Sequence, residues 1–176
     1  MDRSAEAVRL ITSRIPRALI DAEIRAATYP GHSPARWALP LLDELEREGD
    51  GNWTRVALDE DELGDVWLPE HAGEPCHGDA CRLGDAAGGM RLRDAAAWLA
   101  EHEAAYAAAS PSCWGRIAHA SGEPATVLVL SQWSVGDRVK PDAAEFVVVD
   151  GLHRALGYWL SGRRTCEAYL IGRGKS

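Results

Sequence analysis

Glu145-Phe146-Val147-Val148-Val149-Asp150-Gly151-Leu152-His153-Arg154-Ala155-Leu156-Gly157-Tyr158-Trp159-Leu160-Ser161-Gly162 reads as a strand, a turn and a helix. The run Phe146, Val147, Val148, Val149 is continuously apolar and rich in β-branched side chains, the pattern of a strand buried on both faces. Gly151 permits a tight backbone turn. Beyond it, Leu152, Ala155, Leu156, Trp159 and Leu160 recur at helical spacing and define one apolar face. Gly162 is the residue type that ends helices, and Arg163 and Arg164 complement the dipole there. Residues 165–171 predict a last strand. A doubly buried strand followed by an amphipathic helix and another strand sets the fold class as α/β, a mixed sheet flanked by helices.

Upstream, Thr126-Val127-Leu128-Val129-Leu130 has the same unbroken apolar character and reads as the centre of the sheet. A polar loop over 131–144 joins the two strands. Alternation over 114–120 predicts a further strand, with a turn at Ser121-Gly122-Glu123-Pro124. Leu92, Ala95, Ala96, Leu99 and Tyr106 mark one side of a long alanine-rich helix over 91–109, stopped by Pro111. Trp53, Arg55 and Ala57 alternate with Thr54, Val56 and Leu58, as in a short strand. Asp59-Glu60-Asp61-Glu62 then opens an acidic turn or short helix leading to Trp67-Leu68-Pro69-Glu70. Val8, Ile11, Ile15, Leu19 and Ile20 predict a helix over 5–27, broken at Pro16, and a second helix covers 37–48, with Pro40 near its first turn. This divides the chain into a helical N-terminal extension, 1–50, and a ligand-binding α/β domain, 51–176.

Composition narrows the function. With 46% hydrophobic and 26% charged residues over 176 positions, the chain is in the globular range and long enough to bury a continuous core. No run approaches the roughly 20 apolar residues a membrane span needs, and the first residues lack the basic and apolar regions of a signal peptide, so a cytoplasmic protein is expected. The net charge of −8 repels polyanions, which disfavours nucleic acid as a partner and leaves a small molecule. Only Lys140 and Lys175 are lysines, so arginine carries nearly all the positive charge. Four cysteines, Cys76, Cys81, Cys113 and Cys166, read as free thiols. Cys76-His77-Gly78-Asp79-Ala80-Cys81 contains metal-ligand residue types but lacks the second pair of a structural zinc site, and its glycine-rich surroundings read as a loop.

The turn at 150–154 carries the chemistry. The amides of Gly151, Leu152 and His153 lie at the amino end of a helix, where their partial positive charge attracts an anion. His153 and Arg154 sit in the first turn, where a cation opposes the helix dipole at a cost of about 0.3–1 kcal/mol. Two such residues are explained by a bound anion, most simply a phosphate. On that reading Arg154→Ala leaves the empty protein no less stable, and Gly157 opens space beside His153 and Arg154. The alternative pairs Arg154 with Asp150 as a salt bridge and makes Gly157 a close helix contact.

Val147-Val148-Val149-Asp150-Gly151-Leu152-His153-Arg154-Ala155-Leu156 resembles the strand-turn-helix signature of the ParB/sulfiredoxin superfamily, nearest to the Asp-Gly-x-His-Arg pattern of the free-serine kinases. The resemblance extends over 114–172, more weakly over 53–70. It implies that the helix amino end with His153 and Arg154 holds nucleotide phosphates, and that a glutamate after the first strand is the general base, here Glu70 with Glu62 as substitute. Sulfiredoxins carry a reactive cysteine where this chain has Leu152, which argues against sulfinic-acid reduction. Partition proteins are basic and bind DNA through a further helical domain, whereas this chain is acidic and stops at Ser176.

These readings give an expected function: an ATP-dependent small-molecule kinase or nucleotide phosphohydrolase, using ATP or another nucleotide with Mg²⁺. Gly151, Leu152, His153 and Arg154 bind phosphate, Asp150 holds Mg²⁺ or the acceptor, His153 contacts the transferring group and Glu70 takes the proton. A noncatalytic nucleotide sensor is the alternative, and a DNA-associated protein is third. Replacing Cys76 and Cys81 together by serine is expected to leave fold and ligand binding intact; stoichiometric metal in the purified protein, lost in the double variant, would refute the loop assignment.

Overall fold

The computed structural model describes residues 9–27, 35–70 and 89–173. In chain order the elements are strand β1 (Arg9–Ile15), helices α1 (Arg17–Ala26) and α2 (Ala35–Glu48), strand β2 (Gly49–Leu58), helix α3 (Glu60–Asp65), strands β3 (Trp67–Leu68) and β4 (Met90–Arg91), helices α4 (Leu92–Ala109) and α5 (Pro111–Gly122), strands β5 (Leu128–Ser131) and β6 (Val147–Asp150), helix α6 (Leu152–Leu160) and strand β7 (Cys166–Arg173). The cysteine loop at 76–81 lies outside the described residues. No helix among the described residues is long and apolar enough to cross a membrane.

The strands form one mixed sheet in the order β1-β2-β7-β5-β6-β3-β4. β5 runs parallel to β7 and antiparallel to β6, while β6 runs parallel to β3. Successive side chains of the middle strands point to opposite faces, and both faces are covered. Leu128, Leu130, Val148, Ala168 and Leu170 pack with Leu99, Ile117 and Leu156 from α4, α5 and α6. Val129, Val149, Tyr169 and Ile171 pack with Ile20, Ile24, Leu42 and Leu45 from α1 and α2. The result is a three-layer α/β domain with the sheet between two helical layers, which agrees with the fold class read from the sequence.

Arg17 anchors the α1–α2 layer. Its guanidinium donates to Asp21 at 2.5 Å, Asp43 at 2.8 Å and Glu46 at 3.0 Å, so one side chain fastens α1 to α2. Burial alone lowers the Arg17 pKa, but hydrogen bonds from Asp21 and Asp43 and the charges of Asp21 and Glu46 outweigh it and hold the group above its ordinary value. Glu46 also accepts from the indole Nε1 of Trp53 at 2.7 Å, which fixes α2 to β2. Tyr169 reaches this layer too, donating to Glu23 of α1 at 2.9 Å. Its burial and the neighbouring Glu23 push the phenol pKa up to about 12.

Two segments differ from the sequence reading. Residues 9–15, read as the first turns of a helix, are the strand β1, with Leu10 opposite Val56 and Ile15 opposite Trp53. Pro16 is the boundary, since its fixed φ of −62° suits the residue that introduces α1. The outer edge of β2 supplies hydrogen-bond partners that a local periodicity cannot report. Residues 114–120, read as a strand, lie inside α5. Pro111 ends α4 and starts α5, being tolerated in a first helical turn where its missing N–H has no partner to lose. Cys113, Arg116, Ile117 and Ala120 are the buried residues of α5, a 3–1–3 spacing with the helical period.

Gly157 sets how closely α5 and α6 approach. It opens no space beside His153 and Arg154; a Cβ at this position would lie 2.7 Å from the Ile117 carbonyl, 2.8 Å from Ala120 Cβ and 2.9 Å from the Ser121 nitrogen. Ser121 Oγ reinforces the contact by donating to the Gly157 carbonyl at 3.1 Å. Gly157→Ala gains up to about 1 kcal/mol of helix propensity but must separate two packed helices, an overpacking cost of about 1–3 kcal/mol. The expected outcome is a melting temperature lowered by a few degrees, read by circular dichroism. A rise would show that the two helices do not depend on this contact.

Candidate functional site

β6 delivers the turn to one end of the sheet. Gly151 has φ +101°, a left-handed conformation, and a Cβ there would lie 2.7 Å from Leu128 Cδ2 and 3.0 Å from Arg154 Nη2. Both the backbone and the space therefore require glycine. The Ala155 amide bonds the Gly151 carbonyl at 2.8 Å, which leaves the amides of residues 152–154 as the unpaired first turn of α6 in the helical ladder. No side chain caps this end.

Arg154 folds back across the turn. Nη2 donates to Asp150 Oδ2 at 2.5 Å, and Nη1 donates to Thr126 Oγ1 at 2.6 Å and the Val127 carbonyl at 3.1 Å. The side chains of Arg154 and Asp150 are 21% and 12% exposed, so the pair is partly withdrawn from water. This corrects the argument from the helix dipole, because Asp150 itself neutralises the cation in the first turn. The guanidinium also ties the end of β6 to the segment entering β5. Tyr158, buried in α6, supports that segment by accepting from the Thr126 amide at 2.7 Å.

Two pockets flank the turn. The larger, about 330 Å³, lies between the amino end of α6 and the carboxyl-terminal half of α5, and includes Arg116, His119, Glu123, Thr126, Asp150, His153 and Arg154. The smaller, about 50 Å³, lies on the α2 side and is lined by Trp37, Ala38, Pro69 and Arg138. Asp150, Gly151, Leu152 and His153 border both. All four residues expected around the phosphate, Gly151, Leu152, His153 and Arg154, therefore meet in one cavity. Two arginines and two histidines face Asp150 and Glu123 in the larger pocket, an arrangement suited to an anion.

The expected bases stand apart from that cavity. The parallel register of Trp67 with Val147 puts Glu70 and Asp150 at the same end of the sheet, each three residues further on. Glu70 is exposed, and its neighbour Pro69 lines the smaller pocket. Glu62 is committed elsewhere: its carboxylate accepts from the Asp59 amide at 2.8 Å while its own amide donates to Asp59 at 2.9 Å, a capping box that starts α3. Among the described residues no group of three His, Cys, Asp or Glu side chains gathers as a metal site. Cys166 adjoins the Arg154 wall but is no nucleophile, since burial and the charge of Glu167 push its thiol up to about 12 against the opposing pull of Arg154.

Sequence reasoning missed Arg116, His119 and Glu123, which sit at i, i+3 and i+7 along α5 and its end. That spacing is visible once 111–122 is read as a helix, and the strand reading of 114–120 hid it. Removing the Arg154 side chain breaks its bonds to the Thr126–Val127 wall and leaves the Asp150 carboxylate partly buried without its cation. Arg154→Ala is therefore expected to destabilise the empty protein by about 2–3 kcal/mol, roughly 4–12 °C in melting temperature for a domain of this size. An unchanged melting temperature would restore the unneutralised-cation argument.

The chain belongs to a family of unknown function, DUF6309, whose model matches residues 36–176. The match takes in every residue of the larger pocket except Ala27. No curated protein matches the chain, and no solved structure matches it.

Proposed function

With membership of a family without an assigned function as the premise, we propose that the larger pocket binds the phosphates of a nucleotide of the ATP type. The protein then transfers or cleaves a phosphoryl group on a small-molecule metabolite. One observation carries this reading: a single cavity combines the amino end of α6 with Arg116, His119, His153 and Arg154. Helix amides and guanidinium groups bind phosphate by the same physics, fixed donors in a space partly shielded from water. The volume of about 330 Å³ lies at the lower end of the roughly 300–1,000 Å³ found for small-molecule pockets. The likeness of 147–156 to the ParB/sulfiredoxin signature supports the same assignment.

In this proposal the turn separates donor from acceptor. Asp150 and His153 border both pockets, so they are positioned to face the transferring group from the nucleotide side and the acceptor from the other. Glu70, next to Pro69 at the smaller pocket, takes the acceptor's proton. Mg²⁺ keeps several waters and phosphate oxygens and needs only one or two carboxylates. The Asp150 carboxylate, partly exposed at the pocket with Oδ2 on Arg154, fits that requirement. The ion would supply charge neutralisation at the phosphates. A noncatalytic sensor is favoured by one feature, that Asp150 is already bound to Arg154 in the empty pocket.

ATP, ADP or CTP at millimolar concentration is expected to raise the melting temperature, since a ligand bound only by the native state stabilises it by about 2.7 kcal/mol at a hundred times its Kd. Release of phosphate or its transfer to an added metabolite, followed by phosphorus NMR, separates the enzyme from the sensor. No thermal shift with any of the three nucleotides would remove the phosphate-binding assignment.

A further inference from the structure

The larger pocket holds a charge that the turn motif does not supply. Arg116 is only 7% exposed, yet it lines the cavity. The other buried residues of α5, Cys113, Ile117 and Ala120, are apolar. A guanidinium held in such surroundings interacts more strongly with an anion entering the same space than one in water does.

Arg154 is differently committed. Both of its terminal nitrogens are engaged, Nη1 by Thr126 and Val127 and Nη2 by Asp150. Using it as the main ligand contact means breaking bonds that hold the approach to β5. Arg116 stands on the opposite wall, carried by a helix fixed against α6 at Gly157. A planar fork presented from a well-anchored helix suits a phosphate better than a mobile surface cation does.

We infer that Arg116 is the residue that selects a phosphate-bearing ligand in this pocket, and that Arg154 is a positioning residue that holds the wall of the site. The inference rests on the phosphate reading of the pocket and names the residue that reading depends on.

The test compares wild type with Arg116→Met and Arg154→Met, using ATP and inorganic pyrophosphate as probes and adenosine as the uncharged control, by thermal shift and titration calorimetry. Arg116→Met keeps much of the side-chain volume and is expected to weaken ATP and pyrophosphate roughly tenfold or more, the effect of losing a charge-assisted hydrogen bond. Its adenosine response stays that of wild type, and its empty form melts at or above the wild-type temperature, because a buried charge has been replaced by an apolar group. Arg154→Met is expected to lower the melting temperature of the empty protein and to weaken pyrophosphate less than Arg116→Met does. If Arg116→Met binds both probes like wild type while Arg154→Met loses them, the inference is overturned and the phosphate-binding pocket stands. If wild type responds to neither probe, both fail together. Should Arg116→Met not fold, Arg116→Lys keeps the charge without the fork: several-fold weaker pyrophosphate binding supports the inference, and unchanged binding overturns it.

Discussion

Burial of β5, β6 and β7 on both faces constrains everything else in this molecule. Three adjacent strands made of Val, Leu, Ile, Ala and Tyr cannot leave either face to water, so helices must cover both. The chain meets this demand with α1 and α2 on one side and the α4, α5 and α6 group on the other. The ends of the strands are then the only places where the covering layers part. At one of these ends β6 terminates in Asp150, β5 begins after Thr126 and Val127, and the pockets open. The site is a consequence of where a doubly covered sheet has to stop.

The Arg154 guanidinium closes that end. It joins the last residue of β6, the first turn of α6 and the segment entering β5, while Tyr158 supports the same segment from within α6. The turn is therefore stiff before any ligand arrives. An anion meets helix amides whose directions are already set by Gly151, and a second cationic wall from α5. This division between a residue that builds the wall and a residue that faces the cavity follows from which donors are already engaged, a distinction that residue identity alone does not make.

The legible parts of the fold were those in which local pattern and tertiary environment agree. The runs 126–130 and 146–149 are apolar at every position, and the chain buries them at the middle of the sheet. Leu152, Ala155 and Leu156 repeat at helical spacing, and α6 follows. The Asp150–Arg154 salt bridge was readable as an alternative, because residues four apart face each other on a helix, but the competing account from the dipole has the same sequence signature. Illegible were the elements decided by partners distant in the chain. β1 owes its conformation to the edge of β2, some 45 residues away. α5 has a helical burial pattern, yet Trp114, Ile117 and Ala120 also fit a short alternating segment when read without Cys113 and Pro111. Misreading α5 as a strand dispersed Arg116, His119 and Glu123 over two faces and concealed the second wall of the pocket.

The close contact at Gly157 has a thermodynamic consequence for recognition. With the Ile117 carbonyl and Ala120 against a residue that lacks a side chain, α5 and α6 meet backbone to backbone, and Ser121 bonds across the junction. The two walls of the larger pocket then behave as parts of one solid piece, and little conformational freedom is left in them to lose when a ligand enters. Much of the entropic penalty of forming the site has been incurred during folding, so weak individual contacts can still sum to useful affinity.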